Sequence, residues 1–369
     1  MKNKSGLYLH VPFCASKCRY CDFYSYPPCA DEMDAYTDAL CRSMADWADE
    51  AAGESFDTVY LGGGTPSLLG ADRLTRILCT AQERFALAPD TEITVECNPD
   101  SMTDELLDGL RQAGANRLSV GIQSAHDDEL KMLGRCHTFA EAAQAVARAR
   151  AHGFDNLSLD LMYGLPGQTA EKFLQSVSAL LDFSPEHLSC YGLKLEPNTP
   201  MGRENPTLPE DDVQADLYLA LCKRLGEAGF EHYEISNWAQ PHRRSRHNSK
   251  YWDLTPYLGI GPGAHSLWRD KRFAYPRSTA DFIAGCKPVP EEETPDFPAW
   301  AEYLMLSLRT ADGIDGDTFT ERFGMDFAPF GKRLHQLAAS GLTEEQTGGW
   351  RLTESGFLVS NSIINYVIQ

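Results

Sequence analysis

The chain has 369 residues, 43% hydrophobic and 23% charged, a balance that fits a globular protein with one large domain and a smaller one. Its formal net charge of −20 argues against a polyanion-binding surface, which excludes nucleic acid as a partner and direct adsorption onto anionic lipid. No apolar run approaches the ~18 residues of a membrane span, and Met1-Lys2-Asn3-Lys4-Ser5-Gly6 lacks the apolar region of a signal peptide, so a cytoplasmic protein with reduced thiols is expected.

The first strand candidate, Leu7–Val11, runs into Pro12-Phe13-Cys14-Ala15-Ser16-Lys17-Cys18-Arg19-Tyr20-Cys21-Asp22-Phe23. Iron–sulfur clusters take thiolate ligands, and a C-x3-C-x2-C triplet can hold three corners of a cubane. Position 23 is Phe, so no local fourth cysteine closes the set, and one iron stays open to a small molecule. The competing reading is a structural zinc site with His10 as fourth ligand. Against it, His10 sits in the alternating run Leu7-Tyr8-Leu9-His10-Val11, which tends to turn its side chain away from the loop. The remaining cysteines are scattered and read as small buried hydrophobes.

Asp31–Glu50 sets Met33, Tyr36, Leu40, Met44 and Trp47 on one face at helical spacing. The next strand, Thr58–Leu61, ends in Gly62-Gly63-Gly64-Thr65-Pro66-Ser67. Successive glycines let backbone groups approach a ligand, although a tight turn explains them equally well. The Gly-Lys-Thr ending of a P-loop is missing. Later strands are expected at Glu92–Glu96, Arg117–Gly121, Asn156–Leu161 and His187–Leu193, and helices at Thr103–Ala113, Phe139–His152, Thr169–Asp182 and Glu210–Ala228. Six strands alternating with helices predict an α/β fold with a parallel sheet and right-handed crossovers. Helices on one face curl such a sheet into a partial (β/α)6 TIM-like barrel whose ligands collect at the strand C-terminal ends. Glu96, Gln123 and Asp160 fall at those ends, and Arg135 follows soon after Gln123. Carboxylates and an amide suit ribose hydroxyls and an ammonium, and a guanidinium suits a carboxylate. Singly, each is more simply a satisfied structural polar group.

The alternation breaks near Glu234-Ile235-Ser236-Asn237-Trp238. Residues 239–298, rich in Pro, Gly, Arg and aromatics, read as a connector, with Glu291-Glu292-Glu293-Thr294-Pro295 as a solvated linker. Residues 299–369 read as a small C-terminal α domain with helices Trp300–Leu308, Asp317–Phe323 and Phe330–Ser340. Leu342-Thr343-Glu344 and Trp350-Arg351-Leu352 then flank Gly348-Gly349 as a hairpin before a last helix from Ser355. Helices followed by a hairpin predict a winged-helix-like shape, too acidic for DNA. Inside the connector lies a basic island, His242-Arg243-Arg244-Ser245-Arg246-His247, continuing into Asn248-Ser249-Lys250-Tyr251-Trp252. A neutral imidazole can be an axial iron ligand, and Tyr251 and Trp252 offer stacking surface for a flat macrocycle. A solvated basic loop with aromatic packing is the plainer reading. His265, in the glycine-rich run Tyr257–Ser266, is a rival ligand or a buried hydrogen-bonded histidine.

Cys14–Cys21, the Gly62–Ser67 loop, Glu96-Cys97-Asn98-Pro99, Arg117–Ser124, Asp160–Pro166 and Glu234–Asn237 together resemble the radical S-adenosylmethionine (SAM) proteins. The branch is that of oxygen-independent coproporphyrinogen III dehydrogenase and its relatives, and the resemblance covers nearly the full length. It implies a radical-SAM barrel over residues 1–238 and a [4Fe–4S] cluster held by Cys14, Cys18 and Cys21. It also implies SAM contacts at Tyr8, Tyr20, Gly63, Gly64, Thr65, Glu96, Gln123, Arg135 and Asp160, with Lys194 as a weaker candidate. In this family the methionine amino and carboxylate groups chelate the open iron, and one electron cleaves the sulfonium to a 5′-deoxyadenosyl radical.

Two departures separate the chain from the dehydrogenase itself. That enzyme has a longer extension before the cluster loop and a fourth cysteine two residues after the triplet; here the strand starts at Leu7 and Phe23 takes that place. The H-N-x-x-Y-W run at 247–252 resembles instead the heme chaperone branch. That resemblance implies heme as ligand, His247 as its axial residue, and Arg243, Arg244 and Arg246 as propionate partners. It further implies heme delivery to membrane-bound respiratory hemoproteins, an electron donor if SAM is cleaved, and compatibility with a homodimer. The alternatives are a coproporphyrinogen dehydrogenase, a radical SAM methyltransferase that opens the heme ring, or a structural zinc or cluster protein.

Overall fold

The computed structural model describes residues 4–291 and 297–369, so positions 292–295 of the expected linker lie outside the described residues. Six parallel strands lead the chain: β1 (Ser5–Val11), β2 (Phe56–Gly63), β3 (Leu87–Cys97), β4 (Arg117–Gln123), β5 (Leu157–Tyr163) and β6 (His187–Gly192). They lie side by side in chain order. Between them run α1 (Ala30–Glu50), α2 (Ala71–Arg84), α3 (Asp104–Gln112), α4 (Asp127–Leu133), α5 (Phe139–Ala151) and α6 (Ala170–Leu181). The partial (β/α)6 barrel is therefore as expected.

Local chemistry explains where several helices begin. Thr103, Thr138 and Thr169 each accept a backbone N–H three residues on, and Glu141 completes a capping box with Thr138. The helix α2 was not among the expected elements. It starts after Gly70 with no side-chain cap, so the start signal is absent, and tertiary packing of Leu74, Ile77, Leu78 and Ala81 supports it instead.

The six strands alternate cleanly. Leu7, Leu9, Val59, Leu61, Ile93, Val95, Leu118, Val120, Leu157, Leu159 and Leu188 form an apolar face that is buried. The opposite face carries Tyr8, His10, Tyr60, Glu96, Arg117, Ser119, Ser158, Asp160, His187 and Ser189. Parallel strands covered on both faces normally read as continuous apolar runs. Alternation here means that one face lines a polar interior, which is what a barrel holding a polar ligand needs.

The chain divides into two compact units, Met1–Pro209 with Thr255–Glu291, and Glu210–Leu254 with Glu292–Gln369. The stretch 239–298 is thus shared between them. Its strand Tyr257–Ile260 runs parallel to β1, with Gly6 beside Tyr257 and Leu9 beside Ile260. The strands His265–Trp268, Lys271–Ala274 and Val289–Pro290 extend that edge antiparallel.

In the second unit, helix Asp211–Glu227 precedes the hairpin of Glu231–Glu234 and Asn237–Ala239, then helix Arg246–Asp253. Backbone bonds from Ile235 N to Arg309 O (3.0 Å) and from Ala311 N to Tyr233 O (2.9 Å) tie this hairpin to the later segment. Helices Ala299–Ser307, Gly316–Phe323 and Ala328–Ala338 pack around Phe319, whose ring meets those of Tyr303, Phe323, Phe327 and Phe330. The strands Ile314–Asp315, Gly349–Leu352 and Thr343–Gln346 make a small antiparallel sheet in that spatial order, completing a winged-helix-like layout. No helix of the described residues is long and apolar enough to cross a membrane.

Candidate functional site

The cysteine loop is pinned at its base. Phe13 is fully buried and packs edge-on against Tyr26 and Tyr36. Cys14 N donates to Tyr26 O and Tyr26 N to Pro12 O, both at 3.1 Å, so the loop leaves and re-enters through one short pairing. Cys14, Cys18 and Cys21 are half-buried and in no disulfide. Thr65 Oγ1 donates to Cys14 Sγ at 3.4 Å, and Arg135 Nη1 to Cys18 Sγ at 3.5 Å. Such donors compensate thiolate charge, as outer partners of a metal site do. Burial raises the Cys21 thiol, opposed by a hydrogen bond from the Phe23 backbone.

Three thiolates suit either a cluster or zinc. A tetrahedral zinc holds its sulfurs about 3.8 Å apart. A cubane spreads its thiolates over separate irons. The suggested fourth zinc ligand, His10, is engaged: Tyr8 Oη meets its Nδ1 at 2.9 Å, and Tyr24 O lies 3.5 Å from its Nε2. Burial holds this imidazole neutral, with its pKa drawn down to about 4.

The glycine loop touches the cysteine loop directly. Gly64 N donates to Val11 O at 2.7 Å and Thr65 N to Phe13 O at 2.6 Å. A Cβ on Gly64 would sit 2.5 Å from Phe13 O, and one on Gly63 (φ +114°) 2.5 Å from the His10 ring. Glycine is needed here for the packing of two loops, whatever else the loop does.

Polar groups converge at the strand ends. Tyr60 Oη donates to Glu96 Oε1 at 2.7 Å and Gly63 N to Glu96 Oε2 at 3.0 Å. Burial raises the Glu96 carboxyl above its ordinary range despite these bonds. Asp160 accepts from Ser119 at 3.4 Å, and burial first, then the Glu96 charge, lift its pKa to about 7. Gln123 is buried with φ +74°, a left-handed conformation at a non-glycine that marks local strain at the end of β4. Arg135 Nη2 donates to Asn98 Oδ1 at 2.8 Å and to Gly121 O at 2.7 Å. Its Nε is buried with no hydrogen-bond partner among the described residues. Tyr20 packs near Arg135, Cys18 and Cys21, and burial raises its phenol. Lys194 stands apart, with its side chain 82% exposed and paired with Glu196 at 2.7 Å.

Several contributors were not singled out from sequence. Arg117, 1% exposed, pulls both the Glu96 and Asp160 carboxyls back down from the inner face of β4. Asn98 links Arg135 to Thr65, its Nδ2 donating to Thr65 Oγ1 at 3.1 Å. Arg117, Ser119 and Gly121 share one face of β4 by period two, before a register shift ahead of Gln123, and that alternation was the available signal.

The His247 segment is the helix Arg246–Asp253, capped by Ser245, whose side chain accepts from Asn248 N. His247 is buried, and its Nε2 lies 2.9 Å from Tyr251 Oη one turn later, with the rings nearly perpendicular at 5.3 Å. Arg244 is committed to Asp312 at 2.9 Å and reaches Glu231 at 3.5 Å. The rival His265 is exposed and bonded to Glu291, so it is not a buried histidine.

A model of the radical SAM superfamily matches residues 8–180, and one of the HemN C-terminal domain matches residues 299–359. The heme chaperone HemW of Mycobacterium tuberculosis is 36% identical over 378 residues, covering 98% of this chain and 94% of that relative. The proteins of the same name from Escherichia coli and Bacillus subtilis are each 34% identical, covering 97% and 96% of this chain and 97% of each relative. Among solved structures, the coproporphyrinogen III oxidase HemN of Escherichia coli, a radical SAM enzyme, superposes with a TM-score of 0.86. It is 23% identical, with 100% of this chain and 91% of that one covered, a likeness that bears on fold alone.

Proposed function

Because this chain belongs to the heme chaperone HemW family of the radical SAM superfamily, we propose that it binds heme and passes it to membrane-bound respiratory hemoproteins. The observation that carries this reading is the helix Arg246–Asp253, which sets an imidazole and a phenol one turn apart behind a basic run in a chain of net charge −20. His247 is the axial ligand in this reading, exchanging its Tyr251 contact for iron. Arg243, Arg244 and Arg246 are the propionate partners in this reading, Arg244 by leaving Asp312. The work is placed in the cytoplasm, with the membrane reached only through the acceptor.

The family's cofactors are a [4Fe–4S] cluster and SAM. When bound, a cluster with one open iron anchors SAM and supplies one electron to its sulfonium. In the proposal Cys14, Cys18 and Cys21 hold the cluster, with Thr65 and Arg135 offsetting thiolate charge. Glu96 and Asp160 accept from the ribose or ammonium of SAM, Arg135 Nε takes its carboxylate, and Tyr8, Tyr20, Gly63, Gly64 and Gln123 wall the pocket. Lys194 joins only by leaving Glu196. If SAM is cleaved, a separate electron donor is required.

Heme titration of the wild type and of His247→Ala, followed by transfer to an apo-cytochrome, tests the reading. His247→Ala is expected to weaken heme binding at least tenfold, about 1.4 kcal/mol, and to leave SAM binding intact. Retained heme affinity moves the ligand to His265 or a cysteine. Multiple-turnover porphyrinogen decarboxylation by the reconstituted protein would instead make it an enzyme.

A further inference from the structure

We propose that Cys222, His232 and Glu354 form a second metal site, for a divalent cation of the zinc class. Cys222 lies on helix Asp211–Glu227, His232 on strand Glu231–Glu234, and Glu354 opens helix Glu354–Leu358, all within the second unit. One ligand atom from each lies within 4.8 Å of the other two, and no other trio of His, Cys, Asp or Glu among the described residues meets that spacing. A tetrahedral zinc sets N, O and S ligands roughly 3.3–3.8 Å apart, so closure needs side-chain shifts of about 1 Å.

The imidazole is oriented before any ion arrives. Tyr218 Oη donates to Ile235 O at 3.0 Å and lies 3.3 Å from His232 Nε2. With its proton directed at Ile235, the phenol acts as acceptor toward the ring, which assigns the imidazole proton to Nε2. The Nδ1 lone pair then faces Cys222 Sγ, 4.0 Å away. Trp238 stacks on the ring at 4.3 Å and 9°, and Phe357 flanks it at 5.0 Å. Metal-binding histidines are held in this way, one nitrogen donating to an outer partner and the other presented to the ion. Cys222 is buried, His232 half-buried and Glu354 exposed. Two ligands thus come from inside and one from the rim, leaving a fourth position on the solvent side for water. A bound ion clamps helix Glu354–Leu358 onto the Asp211–Glu227 helix and its hairpin, joining segments far apart in sequence. The rival account is a long thiol–imidazole hydrogen bond beside an unrelated surface carboxylate.

The test uses the full chain carrying Cys14→Ser, Cys18→Ser and Cys21→Ser, so that zinc has no place on the cluster loop. Metal-free protein is titrated with zinc chloride against a chromophoric chelator, and with cobalt chloride in parallel. Expected are a single zinc per chain, near-ultraviolet cobalt–thiolate absorption, and a melting temperature that rises with zinc. Cys222→Ser should abolish the cobalt–thiolate absorption. Cys222→Ser and His232→Gln should each weaken zinc about tenfold or more, and Glu354→Gln about threefold. Glu354 is exposed, so Glu354→Gln remains informative even where the two buried variants misfold. No zinc on the triple-serine chain overturns the proposal, as does unchanged zinc affinity in Glu354→Gln or an unchanged cobalt spectrum in folded Cys222→Ser.

Discussion

At the residue scale, Asp160 shows how burial sets chemistry. Its carboxyl stands with Glu96 on the inner face of the sheet, and burial raises its pKa from 3.8 to about 7. An acid that holds its proton more tightly folded than unfolded loses native stability as pH rises, here from about pH 4 to just above pH 7. Glu234, also raised to about 7 by burial, contributes with the same sign. The melting temperature of SAM-free protein should therefore fall between about pH 4 and just above pH 7. Asp160→Asn should reduce that slope; a slope equal to wild type would show that Asp160 does not titrate there. A second residue-scale prediction concerns Cys18, one of three proposed cluster ligands and the acceptor of the Arg135 contact. Cys18→Ser should abolish the visible absorption of the anaerobically purified protein and spare heme association, read by absorption spectroscopy. Loss of both together would tie heme to the cluster loop.

At the scale of elements, the contact between the β1 and β2 loops decides whether the site exists. Gly64 lies against the Phe13 backbone so closely that a methyl group would meet Phe13 O at 2.5 Å. A backbone oxygen cannot rotate away, so Gly64→Ala must displace one loop, at about 1–3 kcal/mol. Iron and sulfide analysis of Gly64→Ala should show reduced cluster content with the barrel still folded by circular dichroism. Full occupancy would mean that the loops tolerate separation. The His247 helix works at the same scale: the i, i+4 spacing pairs His247 with Tyr251, and Ser245 fixes its start.

For the whole molecule, chain order and spatial order part company. The strand Tyr257–Ile260 covers the outer edge of β1 over Gly6–Leu9, although about 245 residues separate the two in the chain. Tyr275, from the same late segment, accepts from Trp47 Nε1 at 2.9 Å, and Tyr24 Oη accepts from Thr279 N at 3.0 Å. A chain truncated after residue 238 keeps all six barrel strands yet leaves β1 with an open edge. It should aggregate or fail to retain a cluster, measured by size-exclusion chromatography with iron analysis. A monodisperse, cluster-bearing truncation would show that the late strands are dispensable.

Short-range patterns in the sequence determined much of this protein. The cysteine spacing, the glycine run after β2 and the alternating strands are set by neighbours within a few residues, and each was legible there. The branch was legible too, in Phe23 and in the run from His247 to Trp252. Tertiary structure alone decided that Gly64 must clear Phe13, that the Arg117 charge acts on both Glu96 and Asp160, that Lys194 turns to Glu196 and that His265 lies exposed. It also brought Cys222, His232 and Glu354 to one place. These depend on strand register and on which distant segment covers which edge, and periodicity along a chain carries no record of either.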